Sequence, residues 1–274
     1  MKIYIPSRAR YNPKYFTAAY TPMRWITTDR LKANAVYVVR DSEYRNYAHA
    51  LREHGVDVLP CGEPENLSRK RQWIAEHAAS KGEDTFLMTD DDVMLYVRKS
   101  PDQFNLRYPN GEEVDDLVFN HIPNLLQHYA QVGVSAREGN NRSGAGQFPL
   151  IQECTRSMRF FAFRTQDYLS IEPNRLSEMA DFDTTLQLLR KGKKNAVLFY
   201  WAQGQPGTQT AGGCALYRTH ATHENVARQL KDYHPDFVSL VTKQNKGGGE
   251  FGTRTEVMIQ WKKAYESSKV REAA

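Results

Sequence analysis

The sequence predicts an α/β fold: a mixed, mostly parallel central sheet with helices on both faces, followed by a loop-rich C-terminal half. Three observations carry this. Through the first half, short segments rich in β-branched and aromatic residues alternate with stretches of helical spacing, the pattern of strands joined by helical crossovers. The chain has 274 residues, 40% hydrophobic and 25% charged, enough for one large domain with a sizeable core and too ordinary for a disordered or fibrous chain. In the second half the alternation gives way to long polar, Gly-rich segments, and loops of that length in a compact domain are usually functional or disordered.

Residues 2–6, 35–40, 56–59 and 85–88 are the early strands, each short and bounded by turn formers. Between them Ser42 precedes Tyr44, Tyr47, Ala48 and Leu51 at helical spacing, predicting a helix capped by Ser42 and ending at Gly55. A second helix is expected over 66–81, with Leu67, Ile74 and Ala78 on one stripe and Gly82 as its stop. Residues 114–131 read as helical, with Pro123 as a kink or break. Further strands are expected at 132–136, 158–164 and 196–201, and helices at 183–191, closed by Gly192, and at 222–233. Residues 137–148 and 203–213 are the long polar loops, and 245–252 form a flexible basic segment before a last short helix or tail.

Charge and cysteine content narrow the function classes. Thirty-seven Lys and Arg against 32 Asp and Glu leave +5, which keeps polyanions among the partners without establishing one. Mean hydropathy is −0.67, and no apolar run is long enough to span a bilayer. The opening MKIYIPSRAR lacks the apolar core and cleavage site of a secretory signal. Cys61, Cys154 and Cys214 suit neither a disulfide framework nor a zinc site, so a reducing cytoplasm is expected.

The most informative segment is DTFLMTDDDV (84–93), an apolar strand running directly into Asp90, Asp91 and Asp92. Three adjacent carboxylates repel one another and cost stability unless a cation or donors compensate. Oxygen ligands on a short turn suit Mg²⁺ or Mn²⁺, with other metal positions left for phosphate oxygens. A solvated acidic turn is the plainer alternative. The preceding helix begins with Arg69, Lys70 and Arg71, although a helix start favours anions over cations. A phosphate beside that end explains the choice for Arg71, while Arg69 and Lys70 read as an exposed basic face.

With Leu67, Ser68, Arg71, Gln72, Ile74, Ala78 and Gly82 ahead of it, this strand and triplet resemble the first half of GT-A-fold glycosyltransferases. In that family a D-x-D motif holds a divalent metal and a nucleotide-diphosphate sugar. Pro6, Ser7, Arg8, Ala9 and Arg10 are similar to its nucleotide-contacting loop, and DFDTTLQLLRKG (181–192) to the acidic motif and helix of inverting members. The resemblance implies that Asp92 binds the metal directly, that Asp90 binds it or the ribose, and that Asp91 orients the pair. It implies Arg71 and Arg8 on phosphate or sugar oxygens, and Asp181 as the base on the acceptor hydroxyl. The match departs at Ala180, where those members often carry Glu. A C-terminal His often completes the metal shell, which points to His220 or His223. Read from the residues alone, Asp181 or Asp183 is equally an N-cap.

Compact size, basic balance and the GGCALYR segment (212–218) most resemble phage TET-associated glycosyltransferases, which modify 5-hydroxymethylpyrimidines such as 5-hydroxymethylcytosine in DNA. The implied protein is one GT-A-like domain, with residues 1–130 binding a UDP-sugar, 131–245 the acceptor and 246–274 forming a flexible basic tail. It uses Mn²⁺ or Mg²⁺ and works in a host cytoplasm. Arg137, Arg142, Arg156, Arg159 and Arg164 lie near Gln147, Phe148, Phe160 and Phe161, a mixture suited to phosphate contacts and base stacking. Gly212 and Gly213 would let backbone approach a sugar or base closely. Competing readings are a non-DNA acceptor, a nucleotidyltransferase or metal nuclease, and a non-catalytic nucleic-acid-binding protein. The nucleotidyltransferase needs a Gly-rich loop that Pro6–Arg10 lacks, and +5 is weak electrostatics for a pure binder.

Overall fold

The computed structural model describes residues 1–16, 22–140, 150–205, 219–244 and 253–272. Its first half comprises β1 (Lys2–Pro6), α1 (Asp29–Asn34), β2 (Ala35–Val39), α2 (Tyr44–Leu51), β3 (Asp57–Pro60), α3 (Leu67–Ser80) and β4 (Thr85–Thr89). Then come β5 (Met94–Arg98), β6 (Leu106–Arg107), α4 (Gly111–Asp116), α5 (Ile122–Leu126), β7 (Gln131–Ala136) and α6 (Arg137–Asn140). The second half continues with β8 (Ile151–Glu153), β9 (Phe160–Arg164), α7 (Thr165–Leu169), α8 (Ala180–Arg190) and β10 (Asn195–Gly204). Helix α9 (His220–Tyr233), β11 (Val238–Gln244), β12 (Thr253–Ile259) and α10 (Trp261–Glu272) close the described chain.

Ten strands form one sheet in the order β3-β2-β1-β4-β9-β7-β10-β5-β6, with β8 also on β10. β1 pairs in parallel with β2 and β4, β2 with β3, and β7 with β10. β9, β5 and β8 run against their neighbours, so seven of the ten strands point one way. The expectation of a mostly parallel sheet holds, and the carboxyl ends of β1, β4, β7 and β10 share one edge. That is where open α/β sheets gather their ligand-contacting loops.

Alternation along the strands builds the two faces. Ile3 and Ile5 enter one buried cluster with Leu31, Tyr37, Leu87, Leu117 and Ile122, while Tyr4 enters the other with Ile74, Ala78, Phe86 and Tyr168. A third cluster joins Leu186 and Leu189 of α8 to Val226 and Leu230 of α9, Val238 of β11 and Ala264 of α10.

The expected strands and helices up to β4 are present, with two local differences. Ser42 does not cap α2: residues Asp41–Glu43 form a 3₁₀ turn, and the Ser42 N–H donates to Glu63 Oε1 at 2.7 Å. Asn66 does cap α3, accepting from the Arg69 N–H at 3.0 Å. The long helix expected over 114–131 is interrupted by a π-turn at Leu117–His121, whose closing bond runs from the Ile122 N–H to the Leu117 carbonyl. Pro123 then sits in the first turn of α5, where a missing N–H is tolerated. The larger part of the expected tail is not a loose segment. Residues 253–259 pair with β11 along its full length, and α10 contributes Ala264 to the third cluster. Burial of those apolar positions offsets the ordering cost that the Gly-rich stretch before them suggested.

Candidate active site

The loop leaving β1 is shaped by its backbone partners. The Ser7 N–H bonds to the Val38 carbonyl at 3.0 Å, the Ala9 N–H to Glu43 Oε1 at 2.9 Å, and the Arg10 N–H to the Tyr47 hydroxyl at 2.9 Å. Ala9 has φ 55, a left-handed conformation that a non-glycine residue adopts only when its surroundings compel it. The loop thereby carries Ser7 and Arg10 onto the acidic turn after β4. Ser7 Oγ and Arg10 both donate to Asp91, and Arg10 also reaches Asp92 at 3.0 Å.

The third acid is held from the other side. Arg71 on α3 bonds Asp90 at 2.7 Å with its guanidinium over the Phe161 ring at 5.0 Å, and the Asp90 N–H donates to the Arg159 carbonyl at 2.8 Å. Arg159 has φ 63. Lys70, expected on an exposed face, is buried and donates to the Ser7 carbonyl at 2.5 Å and the Val38 carbonyl at 3.3 Å. Its position was legible, since Lys70, Ile74 and Ala78 recur every four residues. Burial holds its ammonium below its ordinary value. Arg8 stays half-buried at the rim, donating to the Glu65 carbonyl at 3.1 Å. Pro6 ends β1, paired with Val38.

Three carboxylates meet two guanidiniums here, and the imbalance shows in their titration. Burial pushes the Asp91 carboxyl up against the pull of Arg10. Burial and then the Asp91 charge push Asp92 up to about 7. Side-chain exposure is 24% for Asp90 and 14% for Asp92 but 9% for Asp91. Asp91 is therefore the most enclosed of the three acids, and Asp90 and Asp92 keep the larger exposed share. Among the described residues no group of three His, Cys, Asp or Glu side chains could hold a metal. Asp90 and Asp92 nevertheless fit two positions of a Mg²⁺- or Mn²⁺-type ion, because a cation at this corner relieves the excess negative charge.

Asp181 lies in the first turn of α8. It is half-buried, and its carboxylate accepts no hydrogen bond among the described residues. Neither it nor Asp183 caps the helix: the N-cap is Met179, in the left-handed region at φ 54, with no side-chain cap bond. Burial lowers the Arg71 guanidinium, but Asp90 and then Asp181 raise it above its usual range. Arg71 thus bonds the triplet and also feels the charge of Asp181. Asp183 plays another part, buried under Arg175 at 2.5 and 2.7 Å, Gln187 at 2.8 Å and His234 at 2.7 Å.

The two histidines expected on the metal lie elsewhere in the contact scheme. Both sit in the first turns of α9, where His223 Nδ1 is 3.5 Å from Glu178 and Thr222 Oγ1 donates to the same carboxylate. Neither joins Asp90 and Asp92 in a three-ligand set among the described residues. Gly212, Gly213, Arg142, Gln147, Phe148 and residues 245–252 lie outside the described residues.

A model of the family described as TET-Associated Glycosyltransferase matches residues 1–214. The chain belongs to that family. The chain is similar to S. aureus TarS 1–349 in complex with UDP, at 15% identity and TM-score 0.47, covering 85% of this chain and 65% of that one. A second TarS 1–349 structure matches at 14% identity and TM-score 0.49, with the same coverage. The chain thus spans 65% of the length of the TarS structures it matches. Mannose-1-phosphate geranyltransferase from Thermus thermophilus is similar at 10% identity and TM-score 0.43, covering 99% of this chain and 98% of that one. No curated protein matches the sequence.

Proposed function

We propose that this glycosyltransferase moves a sugar from a UDP-sugar to the hydroxyl of a 5-hydroxymethylpyrimidine, 5-hydroxymethylcytosine above all, in DNA. The observation that carries the reading is Arg71, which bonds Asp90 and senses Asp181. A donor-binding acid and an acceptor-activating acid thereby flank one buried cation. Membership of a TET-associated family and a balance of +5 support DNA as acceptor.

Asp90 and Asp92 would hold Mn²⁺ or Mg²⁺, which when bound supplies Lewis-acid stabilisation of the leaving diphosphate. Ser7 and Arg10 keep Asp91 fixed, and with it the turn that presents the other two acids. Arg8 and Arg71 offer charge-assisted donors to phosphate oxygens. Asp181 takes the proton of the acceptor hydroxyl as that oxygen attacks the sugar C1 opposite the departing UDP, so the anomeric configuration inverts. With no hydrogen bond engaging its carboxylate among the described residues, Asp181 keeps its lone pairs for that proton.

The test incubates the protein with Mn²⁺, a panel of nucleotide sugars, and plain or hydroxymethylated DNA, followed by mass spectrometry of the digested nucleosides. A hexose-sized increment on the hydroxymethylated base alone is expected, and its loss with EDTA. An increment confined to a glycan, protein or small-molecule acceptor would sink the DNA reading.

A further inference from the structure

Beside β5, four side chains from four segments assemble on one another. The register of β5 on β6 pairs Val97 with Arg107, so Tyr108, one residue on, comes across from Tyr96. Their rings stack at 5.0 Å with 30° between the planes. Arg24 lies over the Tyr108 ring at 3.4 Å, while Arg137 lies over Tyr96 at 4.7 Å and donates to its hydroxyl at 3.3 Å. Each ring of the pair therefore carries a guanidinium. Gly204 on the neighbouring strand makes this possible, since a Cβ there would meet Tyr96 Cε2 at 3.2 Å and Arg137 Cδ at 3.6 Å.

The assembly stands on the edge that bears the acids. Arg137 directly follows β7, whose carboxyl end shares that edge with β4, and Tyr96 lies four residues past Asp92 on the outgoing strand (96 − 92). Tyr108 keeps 42% of its surface exposed. Arg137 has no carboxylate partner among the described residues, in contrast to Arg107, which Glu113 neutralises at 2.8 Å. Two rings held rigidly by stacking, with Tyr96 buried and a guanidinium laid over each ring, present flat cations whose chemistry suits a nucleic-acid strand: guanidinium plane to base, guanidinium N–H to phosphate. An acidic polypeptide would use the charges and leave the flat guanidinium faces without a stacked ring.

We propose that Arg24, Tyr96, Tyr108 and Arg137 form the platform on which the acceptor DNA strand docks. This rests on DNA being the acceptor, and equilibrium binding separates the two. A short labelled single strand is titrated by fluorescence anisotropy against wild type, Tyr108→Ala, Tyr108→Phe and Arg137→Gln at several salt concentrations. Tyr108→Ala weakens binding about tenfold, Tyr108→Phe retains it, and Arg137→Gln lowers the slope of log affinity against log salt by about 0.7. Unchanged UDP affinity and melting temperature verify that the variants are folded. Wild-type binding with all variants unaltered overturns the platform and leaves the transferase reading intact. Absence of wild-type binding removes the DNA acceptor and the platform together. Displacement of the oligonucleotide by poly-glutamate, with Tyr108→Ala unaffected, assigns an acidic polypeptide and also overturns the proposal.

Discussion

Asp183 on α8 and the Asp90–Asp92 turn after β4 are both buried acid sites faced by arginine, yet they titrate in opposite directions. Asp183 is one carboxylate with Arg175, Gln187 and His234 around it, and although burial pushes it up, bonds from Arg175 and His234 bring it below the usual carboxylate range. The turn sets three carboxylates against Arg10 and Arg71, and Asp92 rises to about 7. A saturated acid holds structure; an under-compensated one retains negative potential that a cationic ligand can use. The contrast extends to the two acids of α8 itself, since Asp181 has none of the donors that surround Asp183.

The sharpest way to break the contrast is Asp181→Asn. Turnover should fall about 10²–10⁴-fold, while isothermal titration with UDP stays near wild type. A variant that turns over normally would remove the base assignment. Asp183→Ala should act on stability instead, costing about 3–5 kcal/mol in urea denaturation because Arg175 loses its buried partner. A loss below about 1 kcal/mol would place Asp183 among ordinary surface acids.

Asp92→Asn should separate function from stability. Metal-dependent donor binding is lost, yet thermal denaturation at pH 8 shows a gain on the order of 1 kcal/mol, because one buried like charge is gone and Arg10 keeps Asp91. Stability falling together with donor binding would show that the triplet is already compensated.

The smallest effect concerns pH. His234 is buried, accepts from Arg190 at Nδ1 over 3.0 Å and donates from Nε2 to Asp183. Burial, opposed by Asp183, holds it below its ordinary 6.5. Above pH 6.5 both folded and unfolded chains have it neutral, and its contribution is fully present. As pH falls below that value the unfolded chain takes up a proton that the folded chain resists, so stability declines by up to about 1.4 kcal/mol per pH unit. Comparing wild type with His234→Gln across pH 5 to 7 isolates this slope, and identical curves would dismiss it.

Much of this was legible before any fold was known. The strands through β4 and helix α3 follow from alternation, stripe and turn chemistry, which act over a few residues. The acidic turn and Arg71 were conspicuous because like charges and a cation at a helix start violate local preference. Strand β5 was missed because its partner, β10, lies about a hundred residues later. The β11–β12 ladder was missed because a Gly-rich segment separates its strands. His220 and His223 were credited by family position, whereas packing turned His223 toward Glu178.

Periodicity and residue chemistry along the chain were thus sufficient for the α/β class and for the acidic corner, since each depends on neighbours in sequence, whereas Asp181 as base rested on the family resemblance alone. Three-dimensional packing alone settled that Arg10 serves Asp91 and Asp92, that Arg71 holds Asp90, and that Tyr96 meets Tyr108 between two guanidiniums. Those pairings link residues brought together by strand register and helix docking, and charges sense distance through space, not separation along the backbone.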